Sequence, residues 1–159
     1  MAGSTTKKAI IRRYDREPLA GYVNPVSFLQ PVGVELLSAD GNLASIPYPE
    51  IKSIAFVRDF DHPDRAERST FLTRPKMEGL WVRLQFRDGD VIEGVMPNNL
   101  LQIEHYGFSF VPPDSFSNQH RVFVPRESVK AVEVLGVVGS PLKRKAKAGA
   151  KEQGELFSE

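Results

Sequence analysis

Apolar side chains recur at every second position through the middle of the chain. Leu80, Val82, Leu84 and Phe86 fall on one side of an extended segment and Trp81, Arg83 and Gln85 on the other, the alternation of a strand with one wet face. Arg87-Asp88-Gly89-Asp90 follows as a tight hairpin, in which Gly89 can take a positive φ, and Val91–Met96 returns as the partner strand. Further strands are predicted over 107–111, 120–125 and 128–135. The fold class expected from these patterns is all-β.

The pattern repeats. Asp15 and Gly21 have the same spacing as Asp88 and Gly94, 73 residues on; Gly33-Val34 corresponds to Gly107-Phe108 at an offset of 74. Ile46-Pro47, Ile51-Lys52 and Ile54 correspond to Val124-Pro125, Val129-Lys130 and Val132 at an offset of 78. The drift needs two short insertions, both between strands, and the longer falls in the loop-rich segment 112–119. Each half then supplies five strands. The expected layout is a first repeat over 8–58, a linker over 59–78, a second repeat over 79–137 and a tail over 138–159. In the linker, Asp61-His62-Pro63-Asp64 ahead of Arg65-Ala66-Glu67-Arg68 signals a short helical turn, and Pro75 keeps it from running into the next strand. The tail, rich in Ala, Lys and Glu, is expected to be disordered, as are the first seven residues.

The second half resembles the Sm-like family of five-stranded, strongly bent small barrels. Val82, Leu84, Phe86, Asp88, Gly89, Ile92 and Gly94 stand in the pattern of the first Sm motif, and Val122–Val134 resembles the closing strand pair of the second. Asp88-Gly89 suits the hairpin, and Gly94 suits a sharp bend without a side-chain clash. The first half matches through Asp15 and Gly21, with Arg16 where the hairpin glycine would stand. The resemblance implies two Sm-like barrels in tandem, and the whole chain is similar to an uncharacterised bacterial family with this doubled arrangement. It departs from the family where RNA is held. The Asp position of the family's Asp-x-x-Met-Asn loop falls on Leu100 and its Asn position near Glu104, and the Arg-Gly turn is replaced by Pro125-Arg126-Glu127 and, in the first half, Pro47-Tyr48-Pro49. Lone barrels of the family join through strand pairing at their edges, which leaves homo-oligomerisation through edge strands as an expectation.

Composition narrows the function classes. Of 159 residues, 21 are Lys or Arg and 20 are Asp or Glu. Five of the basic and three of the acidic ones lie in residues 140–159, so the body is near neutrality, unlike a strongly basic nucleic-acid binder. No cysteine is present, which excludes a thiolate metal site and a cysteine nucleophile. No apolar run is long enough to span a bilayer and the N-terminus lacks a signal-peptide core, so a cytoplasmic protein without membrane partners is expected.

Each cluster of chemically capable side chains also has an ordinary structural reading. Asp59, Asp61, His62 and Asp64 lie close together, but without the glycine and ligand spacing of a calcium loop they read as helix-capping linker residues, and no metal site is expected. His62, His105 and His120 have no nucleophile elbow or paired carboxylates beside them, and phosphate-binding glycine loops are missing; no cofactor and no catalysis is expected. Arg12, Arg13 and Arg16 offer the Arg-x-x-x-Arg of PilZ-type domains without that family's downstream Asp/Asn-x-Ser-x-x-Gly. Trp81, Tyr106, Phe108, Phe116 and Phe123 near Arg83, Arg87, Arg121 and Arg126 suit either base stacking or strand packing, with packing the simpler account.

Three functions remain. The first is a non-catalytic interaction or adaptor module with a protein partner. The second is an RNA- or single-stranded-DNA-binding protein using the loops 24–31 and 98–106, with Asn24, Tyr48, Asn98, Asn99, Tyr106 and Arg126 as the binding residues for either kind of partner. The third rests on Gln153, Leu156 and Phe157, which resemble the Gln-x-x-Leu-Phe peptide that bacterial proteins insert into the sliding clamp, with Gly154 where Leu is usual.

Overall fold

A computed structural model describes residues 6–61, 68–116 and 118–139. Ten strands and three single 3-10 turns make up the regular structure of these residues, and the fold is all-β. In the first half β1 (Lys7–Arg13), β2 (Leu19–Val23), β3 (Gly33–Leu37), β4 (Leu43–Pro47) and β5 (Ile51–Val57) follow one another, with a 3-10 turn at Tyr48–Glu50 before the last. In the second half β6 (Gly79–Phe86), β7 (Val91–Met96), β8 (Gly107–Phe110), β9 (Gln119–Pro125) and β10 (Val129–Val138) do the same. There the 3-10 turn at Arg126–Ser128 again precedes the last strand, and another lies at Leu100–Gln102. The helical turn expected at 61–68 and the tail beyond Gly139 fall almost wholly outside the described residues. No helix among the described residues is long and apolar enough to cross a membrane.

One sheet runs β4-β3-β2-β1-β5-β9-β8 and a second runs β10-β6-β7. The sheets meet at an isolated bridge, Val95 opposite Val111, closed by two backbone hydrogen bonds of 2.9 and 3.0 Å. Strand order is therefore 4-3-2-1-5 in the first half and 9-8-7-6-10 in the second, the same order twice. Pairing thins at the same place in each: β2 meets β3 at the single register Tyr22↔Leu37, whose counterpart is Val95↔Val111. Among the described residues the sheets remain open, where two closed barrels were expected.

The repeated glycines have matching surroundings. A Cβ on Gly21 would press into Leu36, 2.9 Å away, and one on Gly94 would collide with the ring of Phe110, which stands where Leu36 stands in the first half. Gly89 has φ +96° in the β6–β7 hairpin, as a tight turn requires. Two cores form. The first joins Ile11, Val23, Phe28, Val34, Ile51, Ile54 and Phe56, and also takes Phe123 from β9; the second joins Val82, Leu84, Phe86, Phe110, Val122 and Val124. Successive side chains of a strand point to opposite faces. β9 uses both, placing Val122 and Val124 in its own core and Phe123 in the other.

Candidate functional site: the loops and turns at the seam

The seam between the halves is the β5–β9 ladder, with Ile54 opposite Phe123 and Ala55 opposite Val122. Phe28 meets Phe56 and Phe123 edge-on, at centroid distances of 5.6 and 5.9 Å, so the seam is packed by aromatic quadrupoles as well as by buried area.

Several of the residues singled out in the sequence converge beside it. Tyr48, held by the first 3-10 turn, is buried and stacks on Tyr106 with ring centroids 5.4 Å apart and planes 16° from parallel. Its hydroxyl donates to the Gln30 carbonyl at 2.5 Å, and burial, with Tyr106 and Glu127 adding to it, pushes its pKa up to about 12. The Tyr106 carbonyl accepts the Arg126 amide at 2.9 Å, and the His105 ring lies nearly perpendicular to Tyr106 with centroids 4.7 Å apart. Tyr48, Tyr106 and Arg126 thus meet, bringing the loops 24–32 and 98–106 together. Asn24 and Asn99 serve their own loops instead: the Asn24 side chain accepts the Val26 amide at 2.9 Å and the Asn99 side chain accepts the Leu101 amide at 3.0 Å, local turns of the kind Asn favours. Asn98 is exposed.

Between the two loops lies a cavity of about 110 Å³ lined by Lys7, Pro25, Phe28, Phe56, Glu104, Ser109, His120 and Arg121. Burial, then the positive charges of Arg58, Lys7 and Arg121, hold His120 below its usual pKa. Arg121 lies 3.8 Å from Glu104, and both line the cavity. Outside it, the loops present apolar side chains to solvent: Val26 and Val32 from the first, and from the second Ile103, Leu100 and Leu101, the last two 85% and 94% exposed.

A second cluster escaped sequence reasoning. The Lys52 ammonium on β5 pairs with Asp88 at 2.7 Å and with Asp90, both on the hairpin of the other half. Burial opposes the charge on Lys52, but the hydrogen bonds and charges of the two carboxylates outweigh it and raise its pKa; the bond from Lys52 lowers that of Asp88. Asp88 also accepts the Asp90 amide at 3.1 Å, so one side chain makes the turn and docks it. Buried Ser128 donates to the Lys52 carbonyl at 2.9 Å and shares a hydrogen bond with the Tyr14 hydroxyl, while the Arg87 guanidinium lies 4.0 Å over the Tyr14 ring and donates to the Pro49 carbonyl at 2.6 Å. Lys52 was visible only as one member of the repeated Ile-Lys/Val-Lys pair; its partners lie across the seam. Asp15, the counterpart of Asp88, is exposed in its turn.

The remaining candidates are used structurally. Arg12 donates to Gln119 on β9 at 3.0 Å and Arg13 to the Glu17 carbonyl at 3.0 and 2.6 Å. Trp81 and Arg83 both reach the buried carboxylate of Glu93, at 3.1 and 3.4 Å. Phe108 and Phe123 pack in or against the cores, and Phe116 is exposed. Asp59 accepts the Asp61 amide at 3.2 Å; His62 and Asp64 lie outside the described residues, as do Gln153, Leu156 and Phe157. Among the described residues no three His, Asp or Glu side chains gather as a metal site would need.

Comparison with curated proteins and with solved structures gave no significant match. The model of DUF6982, a family of unknown function, matches residues 5–136, which takes in both halves of the fold, and the chain belongs to that family.

Proposed function

We propose that this chain is a non-catalytic adaptor of the cytoplasm, built on a duplicated Sm-like fold, and that it binds a protein partner through the face formed by the loops 24–32 and 98–106. The observation that carries this reading is the exposure of Leu100, Leu101 and Ile103 within one four-residue stretch of the second loop, with Val26 and Val32 exposed on the first, since contiguous exposed apolar side chains mark contact surfaces. The same strand order in both halves, each with its 3-10 turn before the last strand, supports the Sm-like reading.

Binding of RNA or single-stranded DNA is the second reading, favoured by the convergence of Tyr48, Tyr106 and Arg126. Stacking on a base needs a free aromatic face. Here Tyr48 is buried against Tyr106, and His105 lies against Tyr106 edge-on, so the rings already serve one another. The clamp-binding peptide is the third.

Recovery from native lysate, with and without nuclease, separates the three. The expected result is a protein partner that resists nuclease and is lost with Leu101→Asp. Recovery of RNA with an affinity that falls steeply with salt and is abolished by Arg126→Glu would overturn this reading in favour of the second. Loss of the partner only on deleting residues 153–159 would favour the third.

A further inference from the structure

Residues 68–77, which lead into β6, and the loop 112–116 line a groove of about 460 Å³, a size that accommodates a small ligand or a pair of apolar side chains. Its walls are held in place. The Ser69 carbonyl accepts the Glu93 amide at 2.7 Å, and the buried Glu93 carboxylate accepts the Phe71 amide at 3.2 Å, so the first wall is pinned to β7. Arg68 pairs with Asp114 at 3.0 Å and ties one wall to the other. Pro75, Pro112 and Pro113 are buried, whereas Leu72 and Phe116, one from each wall, are 80% and 95% exposed.

The charged residues lining the groove are Arg68, Arg74 and Lys76 against Asp114, so its surface is net positive. The described chain leaves off beside it. Arg74 donates to the Val137 carbonyl at 2.7 Å, and a Cβ on Gly139 would come within 2.9 Å of the backbone of Met77 and Glu78. Charge in the residues that follow is divided: the five basic ones lie between 143 and 151, and the three acidic ones are Glu152, Glu155 and Glu159. Glu155 and Glu159 flank Leu156 and Phe157. The final stretch is therefore apolar and acidic where the groove is apolar and basic, and the stretch before it has the wrong sign. Sixteen residues, 140–155, separate Gly139 from Leu156, a reach of up to roughly 55 Å.

We propose that this groove holds Leu156 and Phe157 of the same molecule, with the glutamates around them set against its basic side chains. Leu72 and Phe116 then lose their exposure to the two incoming side chains, which is where the contact gains its free energy. Charge sets the direction and selects residues 152–159 over 143–151. Attachment at Gly139 makes the contact intramolecular, so a short peptide of weak intrinsic affinity still occupies the groove. Any protein that takes Leu156 and Phe157 must compete with it. The groove is made by residues other than those of the loops 24–32 and 98–106, and the inference stands apart from partner binding there.

The chain has no cysteine, so a nitroxide attached to Ser158→Cys in the full chain reports where its end lies. The amide NMR signals of Leu72, Lys76 and Ser115 are expected to broaden, and to stay broadened when the labelled, isotope-enriched chain is diluted into unlabelled, unenriched chain. Leu156→Asp should abolish the broadening, as should Leu72→Asp with Phe116→Asp, which alter exposed positions and should leave the circular dichroism unchanged. A peptide of residues 151–159, titrated onto the Leu156→Asp chain, should shift the same signals. It should bind the unmodified chain roughly tenfold more weakly, because the tethered segment competes at an effective concentration on the order of 1 mM. Broadening centred on the loop 98–106, broadening that disappears on dilution and so comes from a second copy, indifference to the groove variants, or equal peptide affinity for both chains would each overturn the proposal.

Discussion

Strands β5 and β10 hold the same place in the two halves, follow the same kind of 3-10 turn and start with the same apolar-Lys pair, yet one is buried and the other open. Their sequences differ in the same direction. Ala55 and Phe56 on β5 become Glu133 and Val134 on β10, and across the ladder Phe123 on β9 becomes Ser45 on β4. What separates them is coverage: β5 has β1 on one side and β9 on the other, while β10 has β6 alone. Two halves with the same strand order therefore need not be equivalent. The strand with a neighbour on each side carries the larger, buried residues, and the outer edges carry smaller or more polar ones.

This contrast can be broken by mutation. The largest effect is expected for Phe123→Ala, which removes the ring that meets Phe28 and leaves a cavity in the first core; urea unfolding should show a loss of about 3–5 kcal/mol. Ile54→Ala on the covered strand should cost about 2–5 kcal/mol, while Val132→Ala at the equivalent open position should stay within about 0.5 kcal/mol for the monomer. Equal costs for the last two would show that β10 is covered in solution. Ser128→Ala removes the bonds to Tyr14 and to the Lys52 carbonyl and should cost about 1–2 kcal/mol, measured the same way.

A smaller effect is expected from pH. His120, on the seam strand, has a folded pKa below its unfolded value because of burial and of Arg58, Lys7 and Arg121. The folded state then binds fewer protons, so stability is fully present above about pH 6.5 and falls as the pH drops through the folded pKa. His120→Gln should flatten the dependence of urea midpoint on pH between about 5 and 7. An unchanged slope would place the acid sensitivity elsewhere.

Much of the fold was legible because strand alternation and hairpin glycines are local signals. The strands at 80–86 and 91–96 follow from the sequence almost to the residue, and the offsets of Gly21/Gly94 and Gly33/Gly107 point to the repeated strand order. The seam was not legible. Ile54 and Phe123 are far apart along the chain, and nothing in the alternation of 120–125 tells which face of β9 serves which core. For the same reason Lys52 gave no sign of its partners Asp88 and Asp90. Among the candidate site residues, the meeting of Tyr48 with Tyr106 was visible only as loop positions, whereas Asn24 and Asn99 proved to be turn-makers, a role Asn takes readily.

The sharing of β9 between two cores bears on synthesis as well as on stability. A ribosome delivers the first half early, but the ring that meets Phe28 at the seam comes only with Phe123, on a strand of the second half. Until then the side of β5 that β9 covers has no partner strand. Completion of the first core thus depends on a side chain that follows its own five strands by most of the second half.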